Sequence, residues 1–201
     1  MISDKIKILK YDRESGASQL ALNTLDLLRS FSKKSKNETK KSFVNDFSEF
    51  GYKLLNIRPN IPPIQNLVAQ IVYEINNLEA DNIDSIRNYI MSRIDEISRT
   101  SQMDVKKSAQ VASKLISDSD YVGTCSYSST ICETFKLAIE QGKSFNVLVA
   151  ESKSSDGKFS YGKIMANFLK SLKINVEVFL DDMIYKNIPR TNCVFVGADS
   201  V

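Results

Sequence analysis

The chain holds 201 residues, 42% hydrophobic and 25% charged, the balance of a soluble globular protein with one large or two small domains. Its formal net charge of +3 is spread thinly, 18 Lys and Arg against 14 Asp and Glu over residues 1–117 and 9 against 10 over residues 118–201, which is no nucleic-acid footprint. No apolar run reaches the ~18 residues of a bilayer span, and the charged segment from Met1 to Glu14 has no signal-peptide core, which argues against membrane and secreted classes.

Apolar residues at helical spacing fill the first half of the chain. Ala17, Leu20, Ala21, Thr24, Leu28 and Phe31 make one stripe, and Phe43, Phe47, Phe50 and Leu54 a second. Between them, Lys33, Lys34, Lys36, Lys40 and Lys41 form a basic cluster without interleaved aromatics. It reads as a solvated loop or helix end before it reads as an anion or RNA contact. Residues 64–122 contain neither Gly nor Pro, the two residues most costly in helix interiors. Within them Ile64, Leu67, Val68, Ile71, Val72 and Ile75 make a third stripe. Ile83, Ile86, Ile90, Ile94 and Ile97 make a fourth, and Val105, Ala109, Ala112 and Leu115 a fifth. The expectation is a helical domain of four or five helices over 1–118.

After residue 120 the rhythm changes. Phe145 to Ala150, Asn175 to Leu180 and Asn192 to Val196 are short apolar or β-branched runs, and Tyr121 to Thr124 is a weaker one. Amphipathic stretches at about 128–141, 158–171 and 182–188 lie between them, with Gly142 where a helix C-terminal glycine belongs. Strand and helix in alternation predict a parallel α/β sheet over 119–201.

Ligands of such sheets bind at the carboxyl ends of the strands. Three of these ends are polar: Gly123 to Thr130, Glu151 to Gly157, and Gly197-Ala198-Asp199. The first leads into a helix, where hydroxyls and unpaired N–H groups suit a phosphate. N-capping explains one serine but not five Ser and Thr hydroxyls and a thiol. Lys153 adds charge to the same anion or is solvated. Asp199 is a general acid or a satisfied turn residue. Cys125 is a small buried side chain or a thiol activated by the helix N-terminus. The chain has no histidine, which excludes histidine-based triads and metal sites, and Cys125, Cys132 and Cys193 match no zinc spacing. They read as reduced thiols of a cytoplasmic protein.

The order of Asp12 to Ala17, Ile57-Arg58-Pro59 to Pro63, Thr124 to Thr130, Phe145 to Lys153 and Val194 to Asp199 resembles the initiation factor 2B alpha/beta/delta family. That family includes methylthioribose-1-phosphate and ribose-1,5-bisphosphate isomerases. The resemblance implies an N-terminal helical bundle followed by a Rossmann-like, sugar-phosphate-binding sheet with flanking helices. It gives Ser15, Gly16 and Ala17 a backbone cradle, with Ser15 where arginine is usual. It gives Arg58 a phosphate- or substrate-binding role, and Ser128, Ser129 and Thr130 the substrate phosphate. Lys153 replaces an arginine, keeping charge but losing bidentate geometry. Asp199 matches the catalytic aspartate. Ser126 stands at the position of the catalytic cysteine, and Cys125 at that of a histidine.

Family members continue past the match to Val201, so the resemblance implies an incomplete sheet, in a fragment or in a shortened protein that relies on a partner. The expected function is a regulatory, non-catalytic member that senses a sugar phosphate or nucleotide phosphate. It assembles as a homo- or hetero-oligomer of family subunits, with no cofactor, metal, membrane or direct nucleic-acid contact. The alternative is an aldose–ketose isomerase in which Cys125 or Ser126 works with Asp199.

Overall fold

Burial of the apolar stripes builds the first part of the chain. In the computed structural model, which describes residues 2–13 and 15–198, they form α1 (Ile2–Tyr11), α2 (Ala17–Lys34), α3 (Lys40–Leu55), α4 (Pro62–Asn76) and α5 (Ile83–Ser113). Thr39 caps α3 by accepting the Ser42 amide at 3.2 Å. Pro62 opens α4, where its missing N–H has no partner to lose. Phe43, Phe47 and Leu54 of α3, Ile64, Val68 and Ile71 of α4, and Leu20, Leu25 and Leu28 of α2 are all buried in one cluster. Gly51 sets the approach of α3 to α4, since a Cβ there would lie 2.3 Å from Val72 Cγ2. Ile86, Ile90 and Ile94 seal the same core from α5, and Arg93 Nε reaches Glu74 Oε2 at 3.0 Å to tie α5 to α4.

Three details depart from the sequence reading. Helix α1 was not among the expected elements, although Ile2, Ile6 and Leu9 have helical spacing and Leu9 is buried. The two stripes after Ile83 share one helix of 31 residues, because nothing between them breaks it. Leu115 lies past the end of α5 and is exposed, not core.

By contacts the chain divides into compact units at Met1–Ser101 and Gln102–Ala198, so the division falls within α5 where the sequence reading drew it at 118/119. Hydrogen bonds explain the placement of the last turns of α5. Lys143 Nζ donates to the Ser113 and Ile116 carbonyls, both at 2.7 Å, and Gln141 Nε2 to Ser113 Oγ at 3.1 Å.

The second unit alternates β1 (Tyr121–Cys125), α6 (Ser129–Glu140), β2 (Asn146–Ala150), α7 (Tyr161–Ser171), β3 (Asn175–Phe179), α8 (Ile184–Asn187) and β4 (Cys193–Phe195). All strand pairs are parallel, in the order β3-β2-β1-β4, with Cys125 opposite Ala150 and Ala150 opposite Phe179. Val122, Val147 and Val149 on one face pack with Ile131 and Phe135 of α6 and Met165 and Leu169 of α7. Gly142, at φ +81, ends α6: its amide bonds Ile139 O at 2.9 Å while the Lys143 amide bonds Ala138 O at 3.1 Å. The helix expected over 182–188 is only the four residues of α8 between two 3-10 turns, the second carrying Pro189, which lacks an N–H. Among the described residues the protein is thus α/β, with eight α-helices and a four-stranded parallel sheet.

Candidate functional site

The strand order creates a switch point. From β1 the chain steps to β2 and β3 on one side, then returns to place β4 on the other side of β1. In open parallel sheets the ligand crevice lies beyond the strand ends at such a reversal. Here it is flanked by the loop from β1 to α6 and the segment after β4. Ser128 is the N-cap of α6 and makes no side-chain cap bond. Gly197 comes so near that a Cβ would lie 2.8 Å from Ser128 Oγ. Ser129 and Thr130 occupy the first turn, half-buried, where backbone N–H groups lack intrahelical partners. Hydroxyl-bearing residues thus occupy the cap and first turn of a helix N-terminus, a place that favours an anion.

Ser126 and Cys125 diverge at the end of β1. Ser126 has φ +59, and its amide donates to Ser152 Oγ at 2.8 Å. Cys125 is the last residue of β1 and lines an apolar cavity of about 160 Å3 with Ala150, Phe179, Ile184, Ile188 and Val194. Burial, and then the negative charge of Asp181, push its thiol up from the ordinary cysteine value. Of the two readings of Cys125, this placement favours the small buried side chain: it ends a strand, three residues before the helix cap, and meets apolar walls and a carboxylate.

The loop after β2 holds a buried carboxylate between two lysines. Glu151 Oε1 lies 3.0 Å from Lys163 Nζ, and Oε2 lies 3.2 Å from Lys153 Nζ. The bond from Lys163 lowers the Glu151 carboxyl below the usual glutamate value against the opposing effect of burial, and Lys153 adds to it. Lys153, expected as an anion contact, thus shares its charge with Glu151. The Glu151 carbonyl accepts from Ser160 Oγ at 2.8 Å and from the Gly162 amide at 2.9 Å, which joins the start of α7 to the end of β2.

Asp181 was missed in the sequence. It follows β3, and its carboxylate accepts the Ser152 amide at 2.7 Å and the Lys153 amide at 3.1 Å. The rule that singled out the other strand ends, applied to Leu180-Asp181-Asp182, points to it. Lys163 gave no such signal, because its partner is supplied only by the packing of α7 onto β2.

Within the first unit the structure brings together two distant motifs. Arg58 Nη1 donates to the carbonyls of Leu9 at 3.3 Å, Lys10 at 3.4 Å and Asp12 at 2.7 Å, closing the C-terminus of α1. Asp12 Oδ1 accepts the Ser15 amide at 2.9 Å, and Gly16 is the N-cap of α2, which begins at Ala17. Arg58 therefore braces the segment that carries Ser15, Gly16 and Ala17. Asp199 lies outside the described residues. Among the described residues there is no group of three or more His, Cys, Asp or Glu that could hold a metal ion, and no helix long and apolar enough to cross a membrane.

The model of the Initiation factor 2 subunit family matches residues 13–201. A ribose 1,5-bisphosphate isomerase of Pyrococcus furiosus is 27% identical over 202 residues, covering 100% of this chain and 60% of that protein. A Pyrococcus abyssi protein named for its likeness to subunit 2 of translation initiation factor eIF-2B is 28% identical over 194 residues, covering 96% of this chain and 64% of that protein. The chain thus spans less than two thirds of the length of these relatives. The crystal structure of the tetrameric eIF2B-beta2-delta2 complex from C. thermophilum matches 100% of this chain and 66% of that one, with a TM-score of 0.76 at 23% identity, a likeness of fold.

Proposed function

This chain belongs to the initiation factor 2 subunit family, and on that premise we propose that it is a regulatory, non-catalytic member that binds a phosphorylated sugar or nucleotide. The observation that carries the proposal is the pair at the end of β1. The position that the resemblance gives to a catalytic cysteine holds Ser126, and the neighbouring thiol of Cys125 faces an apolar cavity with its ionisation suppressed. Aldose–ketose isomerisation needs a base tuned toward the working pH. A serine hydroxyl does not ionise near neutral pH without an activating base, and the chain has no histidine to act as one. Anion binding asks less: the α6 N-terminus with Ser128, Ser129 and Thr130 supports it, with Lys153 as a further contact carried over from the family.

The likeness to a eIF2B tetramer supports assembly with a second copy or with other family subunits. The likeness to a ribose 1,5-bisphosphate isomerase along the whole chain favours a second reading, an isomerase using Cys125 or Ser126 with Asp199.

Calorimetric titration with ribose 1,5-bisphosphate and with a nucleoside monophosphate, beside an isomerase assay, separates the readings. Heat of binding without isomer formation is expected. Turnover by the native chain that Cys125→Ala abolishes overturns the regulatory reading in favour of the isomerase. No heat at millimolar ligand removes the phosphate site.

A further inference from the structure

Three strand ends are joined by one chain of hydrogen bonds. The Asp181 carboxylate beyond β3 takes two successive amides, those of Ser152 and Lys153, one on each oxygen. Both bonds are charge-assisted, the stronger class of hydrogen bond. Ser152 then passes the constraint on, its Oγ accepting the Ser126 amide at 2.8 Å. Ser152 has φ +49 and Ser126 φ +59. Residues other than Gly, Asn and Asp seldom adopt this left-handed conformation, and they hold it where surrounding bonds over-determine it. Here those bonds end on a carboxylate that does not belong to either loop. Ser126 is two residues from the α6 cap, so its conformation sets how the chain enters the first turn of that helix.

We infer that Asp181 is a positioning residue for the loop from Ser126 to Thr130, acting through Ser152 and without touching ligand. The positioning of the loop stands on the hydrogen bonds alone, and its consequence for anion binding rests on the function proposed above. The side chain that orders the anion loop is thus supplied from two strands away, by the segment that also covers the Cys125 cavity.

Amide hydrogen exchange on the full chain tests the relay without any ligand. In Asp181→Ala the amides of Ser152, Lys153 and Ser126 all lose a bond, directly or through Ser152, and each should exchange up to roughly tenfold faster. Ser152→Ala should release Ser126 and leave the β2 amides of Val147 and Val149 protected. Asp181→Asn keeps one carbonyl oxygen for the Ser152 amide, so Ser126 should stay protected while Lys153 is released, a rescue that separates positioning from general loss of stability. Ser126 exchange unchanged in Asp181→Ala overturns the inference. So does an equal acceleration at Val147 and Val149, which would mean that Asp181 acts on the whole fold. Calorimetry with inorganic phosphate is the second arm. Binding that weakens in Asp181→Ala and recovers in Asp181→Asn supports the link to the anion site, and binding that both variants leave intact overturns that link. If the native chain binds no phosphate, the proposed function fails while the exchange pattern still decides the relay.

Discussion

Gly162 lies so close to Ala150 that a Cβ at position 162 would sit 2.1 Å from the Ala150 carbonyl oxygen. The obstruction is backbone, and Glu151 Cα would lie 2.9 Å from the same Cβ, so no side-chain rotation relieves it. Gly162→Ala must push α7 away from the end of β2, where Met165 and Leu169 fill the core beneath the sheet. Overpacking of this kind costs about 1–3 kcal/mol. Urea denaturation of Gly162→Ala should show a lower midpoint at unchanged slope. A midpoint equal to that of the native chain would show that α7 lifts without loss.

Glu151 ties the same junction electrostatically and makes it sensitive to acid. Its carboxyl is held below the value of 4.5 that it takes in an unfolded chain, first by the bond from Lys163, with burial opposing and Lys153 assisting. The unfolded state therefore binds the proton more readily. The contribution of the ion pairs is fully present above about pH 4.5 and is lost as pH falls through the folded-state value. Glu151→Gln should accordingly be less stable than the native chain at pH 7, and the difference should shrink as pH drops below about 4. A difference independent of pH would mean that shape, not charge, is what position 151 supplies.

The strands were legible because each is a short β-branched or apolar run whose neighbours are turn residues. Val147 and Val149 needed no knowledge of their partners to read as sheet. The α1 segment was harder, since Asp4, Lys5, Lys7 and Lys10 dominate it and only Ile2, Ile6 and Leu9 mark its inner face. In the site, the hydroxyl-rich start of α6 stood out because local chemistry alone singles it out. Asp181 carries the same strand-end signal, but its role is not local, for its partners are amides 28 and 29 residues upstream that only the β2–β3 pairing brings within reach. The same holds for Arg58, whose guanidinium closes a helix 46 residues earlier at Asp12, a role invisible without the bundle.

Gly197 offers a test that separates site from stability. A Cβ there would meet Ser128 Oγ at 2.8 Å and Ser128 Cβ at 3.0 Å, and Gly197 itself is exposed. Relief comes from moving the Ser128 side chain at the mouth of the α6 N-terminus. Gly197→Ala should therefore weaken phosphate binding by about tenfold, the equivalent of one displaced hydrogen bond, while the thermal midpoint changes little. Equal affinity in the variant would place the anion away from Ser128. A large drop in the midpoint would make the close approach structural.

The last prediction concerns the thiol at the end of β1. Cys125 is held protonated first by burial at the cavity it lines with Phe179, Ile184 and Ile188 and then by the Asp181 charge. Asp181→Asn removes the charge and keeps an oxygen for the Ser152 amide, so the thiolate should form at lower pH. Because burial remains, its titration should still lie above the ordinary cysteine value. The rate of iodoacetamide alkylation at Cys125, followed peptide by peptide across pH, reads this midpoint. Cys132 serves as an internal reference, since its thiol is pushed up to about 12 by burial and should stay unlabelled over the same range. Ser152→Ala controls for loop opening, because it disturbs the Ser126 bond without changing any charge, and it should leave the Cys125 midpoint where the native chain has it. A midpoint that falls equally in both variants would trace the suppression to access, and one that moves in neither would leave burial as its whole cause. A shift confined to Asp181→Asn would show that the residue bonded to the Ser152 and Lys153 amides also keeps the adjacent thiol protonated.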